Sequence, residues 1–158
     1  MRHAKSSWDN FSISDFDRPL NERGEKAAPL MAEVLKRLKV KPDLILSSPA
    51  NRAKTTAKIV VDILGLDTKN IHYHDSIYES SLINLLMIVR QIPEDIDTAL
   101  LFGHNPALTA LINNLCDFSL DNLPTAGVVA IQFDSTWADI NTHSGKKLFF
   151  EYPKKHQG

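Results

Sequence analysis

One cysteine, Cys116, stands among 158 residues, so the chain can hold neither a disulfide framework nor a cysteine-rich metal site. That usage suits a reducing compartment. No apolar run approaches the roughly 18 residues needed to span a bilayer. The opening MRHAKSSWDN also lacks the apolar stretch of a secretory signal peptide. An excess of one charge is missing too: Lys plus Arg total 18 against 19 Asp plus Glu, a formal net charge of −1. That balance excludes a broad basic field for nucleic acid or an anionic membrane, so any anion site must be a local construction. Internal repeats, low-complexity tracts and interdomain linkers are absent. What is present is ordinary globular composition, 43% hydrophobic and 23% charged, in one domain over 1–158. A cytoplasmic protein with neither a nucleic-acid nor a membrane partner is the expectation; oligomeric state is not legible.

Along the chain, residues 4–21 read as irregular. LNERGEKAAPLMAEVLKRLKV then reads as a helix that Asn21 can cap, with Leu30, Val34 and Leu38 at four-residue spacing and Met31 and Leu35 widening the stripe. Pro29 predicts a late start or a kink. DLILSSP, NIHYHDSIYE and TALLFGHNP predict strands. They alternate with helices over ANRAKTTAKIVVDILGL, where Gly65 is placed like a C-cap, over SLINLLMIVRQI, and over ALTALINNLC. GVVAIQFDS and KKLFFEYP predict a closing antiparallel pair, and KKHQG a polar tail. The alternation indicates an α/β architecture, with helices on both faces of one mostly parallel, mixed sheet.

Two strand-to-helix junctions share a design. LILSSPANR leads to Ser48 as candidate N-cap and Pro49 at the first helical position; ALLFGHNPAL leads to Asn105 and Pro106 in the same roles. Each points free backbone N–H groups and a helix dipole at the carboxyl edge of the sheet, where anions and ligands gather. Arg52 and His104 stand at these junctions, and Arg2 and His3 complete the set if the chain leaves a strand there. An arginine fork suits phosphate, and a neutral imidazole with one ring nitrogen held and the other free is a nucleophile.

RHAKSSW at 2–8, RPLNERG at 18–24, SSPANRAKTTA at 47–57, YE at 78–79 and GHNPAL at 103–108 together resemble the histidine phosphatase superfamily, in particular its SixA-type phosphohistidine phosphatase branch. The resemblance runs from Arg2 to about Tyr152. It implies a three-layer, phosphoglycerate mutase-like α/β/α sandwich and a metal-independent phosphatase with no cofactor. It implies that His3 is the nucleophile that forms a phosphohistidine intermediate. Arg2 and Arg52 would clamp the phosphoryl oxygens, His104 would stabilise transition-state charge, and Glu79 would match the usual proton donor. Arg18 and Asn105 would reach the pocket rim and bind substrate. The implied partner is a phosphorylated protein bearing phosphohistidine. A small-molecule phosphomonoesterase and a non-catalytic phosphate-binding module are the alternatives.

Two departures from the family pattern stand out. Ala4 occupies the position where the motif usually has glycine, and a single Met1 precedes Arg2-His3 where the family has an apolar central strand. The first central strand is therefore expected to be missing or the start truncated, with a damaged or rearranged site as the consequence. Blander readings apply elsewhere. His72 and His74 share a face of a predicted strand with no third metal ligand at suitable spacing, which favours a solvated edge. Glu79 can equally be a capping carboxylate ahead of SLINLL, and Trp8 either a pocket wall or a lid over the core.

Overall fold

Asn21 starts the first helix as its side chain suggests, its Oδ1 accepting the Gly24 backbone N–H at 2.9 Å. Helix α1 then runs Glu22–Arg37 without the late start that Pro29 predicts. A proline there forgoes one hydrogen bond, to the carbonyl four residues back, while Ala28, Met31, Ala32, Val34 and Leu35 bury their side chains along the same face. The computed structural model describes residues 1–157, so of the expected polar tail Gly158 lies outside the described residues. The remaining elements follow the predicted alternation: β1 (Leu44–Ser47), α2 (Asn51–Ile63), β2 (Ile71–Tyr73), α3 (Leu82–Arg90), β3 (Ala99–Phe102), α4 (Ala107–Leu115), β4 (Val128–Gln132) and β5 (Lys146–Glu151). Gly65 sits two residues past α2 with φ of 79°, the left-handed conformation that lets the chain turn away.

The strands form two pieces rather than the single mixed sheet expected. One is parallel, in the order β2-β1-β3, with Ile45 of β1 opposite Ile71 on one side and Leu100 on the other. The other is the antiparallel pair β4-β5. Met1 to His3 join them. Arg2 bridges Gly103 in the parallel sense; the His3 N–H donates to the Gly103 carbonyl at 3.1 Å and the Gly103 N–H to that of Met1 at 3.1 Å. On the opposite flank the Arg2 N–H donates to the Gly127 carbonyl at 2.9 Å and the Ala126 N–H to that of His3 at 3.0 Å. Further back along β3 no strand among the described residues pairs with this edge. A groove of about 600 Å³ opens there between β3 and β4, lined among others by Leu35, Val40, Leu100, Val128, Ala130 and Phe149. The backbone of Arg2 and His3 is itself held from both sides.

Alternation along each strand sorts the core into two layers of packing. Ile45, Leu100, Phe102 and Val128 pack with α1 and α2; Leu44, Leu46, Leu101, Val129 and Ile131 pack with α3 and α4. The result is the three-layer α/β/α arrangement. Each fully buried large apolar side chain, such as Phe102, Met31 and Leu35, contributes about 1.5–3 kcal/mol.

A close approach fixes the loop after His3. The Asn21 N–H donates to the Lys5 carbonyl at 3.0 Å and the Ser7 N–H to that of Pro19 at 2.9 Å, so residues 5–7 lie against the start of α1. A Cβ on Gly24 would stand 2.1 Å from the Lys5 carbonyl oxygen, a backbone atom that cannot swing aside. The glycine of NERG is there because nothing larger fits. Gly24→Ala is expected to lower stability by about 1–3 kcal/mol in urea unfolding; an unchanged midpoint would show that the loop yields freely.

Candidate active site

The candidate residues gather at the carboxyl edge of the parallel sheet, where Met1 to His3, β1 and β3 give way to loops. His3 is buried, and its Nδ1 lies 2.7 Å from the Ala4 carbonyl oxygen. A carbonyl can only accept, so Nδ1 carries the proton and Nε2 keeps its lone pair. Burial, opposed by that hydrogen bond and aided by His104, Arg52 and Arg2, pushes the His3 pKa down to about 3. The ring is therefore uncharged near neutral pH. The Ala4 N–H donates to Thr56 Oγ1 at 3.0 Å, and the Thr56 hydroxyl donates to the Arg52 carbonyl at 2.8 Å. The methyl group of Ala4 is accommodated, fully buried.

His104 leaves the end of β3 with its ring centroid 5.1 Å from that of His3. Burial, then the Arg52 charge, push its pKa down to about 4. Its Nε2 lies 2.8 Å from Ser48 Oγ. This corrects the role assigned to Ser48: α2 begins at Asn51, and the Ser48 hydroxyl accepts the Ala50 N–H at 3.2 Å while meeting His104. The Asn105 reading is corrected likewise: Pro106 is the N-cap of α4 and the helix begins at Ala107, so Asn105 lies one residue before the cap, its Oδ1 accepting the Thr109 N–H at 3.3 Å. Its Nδ2 donates to the Leu123 carbonyl at 2.9 Å, the same oxygen that accepts Arg2 Nη1 at 3.0 Å. Asn105 thus steadies the loop that steadies Arg2.

Three guanidiniums surround the histidines. Arg2 and Arg18 are both pushed down from the usual arginine range, first by burial and then by the neighbouring charge of Arg52. Arg52, in the first turn of α2, donates Nη1 to the Asp15 carbonyl at 2.7 Å and Nη2 to Asp15 Oδ2 at 3.1 Å. Arg18 donates to Asp15 Oδ1 at 3.3 Å and to the Ser6 hydroxyl, and its guanidinium lies 3.4 Å over the Trp8 ring. Trp8 is thus neither a lid over the core nor a buried wall; it is an exposed platform for Arg18. Arg2 Nε, Arg18 Nε and His104 Nδ1 are buried without a hydrogen-bond partner among the described residues.

The sequence reading missed Asp15 and Tyr78. Asp15 takes contacts from both Arg52 and Arg18, and the Tyr78 hydroxyl donates to its Oδ2 at 2.7 Å. That hydrogen bond, aided by the two arginines and opposed by burial, lowers the Asp15 pKa, while burial and the Asp15 carboxylate push Tyr78 up to about 12. The available signal was the Asp15–Arg18 spacing of three residues in DFDR. Glu79 is placed differently from the other candidates. It stands exposed in a turn with φ of 51°, its side chain making no hydrogen bond among the described residues. His72 and His74 are exposed as expected, and no group of three or more His, Cys, Asp or Glu among the described residues is arranged to hold a metal ion. Nor is any described helix long and apolar enough to cross a membrane.

Comparison with known proteins agrees with this geometry. Residues 1–85 match the family model of the histidine phosphatase superfamily (branch 1). An uncharacterized chloroplastic protein of Arabidopsis thaliana is 32% identical over 154 residues, covering 92% of this chain and 70% of the relative. Among solved structures, the protein histidine phosphatase SixA complexed with tungstate superposes with a TM-score of 0.86 at 24% identity, over 99% of this chain and 97% of that one. The Agrobacterium tumefaciens protein assigned as SixA superposes with a TM-score of 0.80 at 27% identity, over 96% and 94%.

The neutral histidines make stability depend on pH in a definite direction. Each titrates near 6.5 when unfolded but near 3 or 4 when folded, so below pH about 6.5 the unfolded chain binds protons that the folded chain refuses. Stability therefore falls as pH drops from about 6.5 towards 4, by at most about 1.4 kcal/mol per pH unit for each histidine. Urea midpoints across that range are expected to show a shallower decline in His104→Asn than in wild type; parallel declines would show that His104 titrates normally.

Proposed function

Because the chain belongs to the histidine phosphatase superfamily (branch 1), we propose that it is a phosphatase working through a phosphorylated His3, with protein phosphohistidine as its substrate. The observation that carries the reading is the His3 ring: neutral, with Nδ1–H held by the Ala4 carbonyl and Nε2 free, among three buried or half-buried arginines. The Nε2 lone pair attacks phosphorus, and the bond from phosphorus to the leaving nitrogen breaks, its electron pair passing to that nitrogen. Arg2 and Arg52 hold the equatorial oxygens, and His104 adds a donor to the charge that develops there. Preorganised charge of this kind is the main lever in phosphoryl transfer. In the second step water attacks the phosphorus, the His3 nitrogen takes back its electron pair, and inorganic phosphate leaves with the water's proton given to solvent.

The position of Glu79 favours phosphohistidine over an ester. A phosphorylated imidazole protonated on its other ring nitrogen leaves as neutral imidazole, so no acid has to meet the leaving atom. An alkoxide leaving from an ester needs a proton from a well-placed donor, and Glu79 is exposed and outside the hydrogen-bonded cluster. Glu79 and Asn105 accordingly carry smaller roles in this proposal, the first as an auxiliary donor and the second as a support for Arg2. Trp8 and Phe16 stand exposed beside the site, and a rim of that kind suits a protein surface presenting the phosphoryl group. The same chemistry needs neither metal nor cofactor, since the guanidiniums supply the positive charge.

Hydrolysis of a phosphohistidine protein and of p-nitrophenyl phosphate, both with EDTA present, tests the reading. His3→Ala is expected to lower the rate by at least about 10³-fold, and Arg52→Ala by about 10²- to 10³-fold. Retention of the wild-type rate by His3→Ala, or dependence on an added divalent metal, would falsify it. Phosphate binding without any turnover would identify a binding module instead.

A further inference from the structure

We propose that Asp15 is a positioning residue for the phosphoryl site: its carboxylate holds Arg52 and Arg18 in the free protein and gives them up to an entering phosphoryl group, setting the threshold an anion must pass to bind. This deepens the phosphatase reading above and rests on it. Both terminal nitrogens of Arg52 are spent on Asp15, one on its carbonyl at 2.7 Å and one on Oδ2 at 3.1 Å. Arg18 Nη1 goes to the other carboxylate oxygen at 3.3 Å, and the Tyr78 hydroxyl secures Oδ2 at 2.7 Å. One carboxylate thus receives three of the strongest donors at the site, while Arg2 makes no contact with it and turns to Leu123.

The arrangement is built to let go. The Asp15 side chain is 49% exposed while those of Arg52 and Arg18 are 9% exposed, so the carboxylate can swing into solvent and the guanidiniums stay. Asp15 lies in a single 3-10 turn, Asp15–Asp17, beyond an irregular stretch, whereas Arg52 is fixed in a helix of thirteen residues. A phosphoryl dianion carries more charge and more acceptor oxygens than a carboxylate, so it wins both guanidiniums. A monoanion gains too little over Asp15 to displace it, and the pair therefore favours phosphoryl groups over carboxylates.

Calorimetric titration of inorganic phosphate into the full chain, in phosphate-free buffer, separates this role from a structural one. Half-exposed ion pairs of this sort predict that Asp15→Asn binds phosphate about two- to fivefold more tightly. KM for p-nitrophenyl phosphate should fall by a like factor with kcat not rising. Tyr78→Phe keeps the Asp15 charge and loosens only its anchor, so it should tighten phosphate binding in the same direction by a smaller factor. Equal or weaker phosphate binding in both variants overturns the proposal. Tightening in Asp15→Asn alone also overturns it, since removing a negative charge near an anion then suffices as the cause. Should Asp15→Asn fail to fold, the Tyr78→Phe result decides. Absence of phosphate binding by the wild type would instead bring down the phosphatase reading itself, and the Asp15 role with it.

Discussion

Arg2 and His3 are hydrogen-bonded through their backbone on both flanks, to Gly103 on one side and to Gly127 and Ala126 on the other. The rest of the site depends on that double pairing. It fixes both residues at the point where two sheet fragments meet. From this position His3 is brought to 5.1 Å from His104. The link from the Ala4 N–H through Thr56 to the Arg52 carbonyl then registers His3 against the first turn of α2. Three separate stretches of sequence are thereby held to one geometry by short polar contacts.

The second organising constraint is charge. Three guanidiniums share one half-buried site, where burial and then the charge of Arg52 lower the pKa values of Arg2 and Arg18. Asp15 is the carboxylate that offsets this locally, touching two of the three. The same field, together with burial, keeps both imidazoles uncharged. The guanidiniums and the neutral imidazoles thus share one environment: burial first, and the arginine charges after it, disfavour a further positive charge on either ring.

Much of this was legible in the sequence, and the gaps have physical causes. The helices and strands followed from apolar periodicity, since burial on one face leaves a mark at every third or fourth residue. Arg52 and His104 were legible because their motifs sit at strand-to-helix junctions, where topology brings distant segments to one edge, and His3 because the ordered set of motifs includes it. Ser48 was misjudged because a serine before a proline reads as a cap, whereas its hydroxyl is drawn to His104 across 56 positions. Asp15 and Tyr78 were missed for a related reason. A 63-residue separation carries no periodic signal, and an aspartate in a loop looks like any solvated acid. The division of the sheet into two pieces bridged by Met1 to His3 was not legible, because an isolated bridge leaves no apolar run to read.

The groove behind Arg2 bears on the order in which the protein is built. The backbone of Met1 to His3 finds its partners far along the chain, at Leu101, Gly103, Ala126 and Gly127. Closing such long loops comes late in folding, because chain entropy opposes it until the intervening elements are compact. On a ribosome, residues 1–3 must wait until the chain has been made past Gly127. A nascent or partly degraded chain that lacks Gly127 therefore carries His3 without the candidate site around it. Completeness of the fold is in this way a precondition for reactivity.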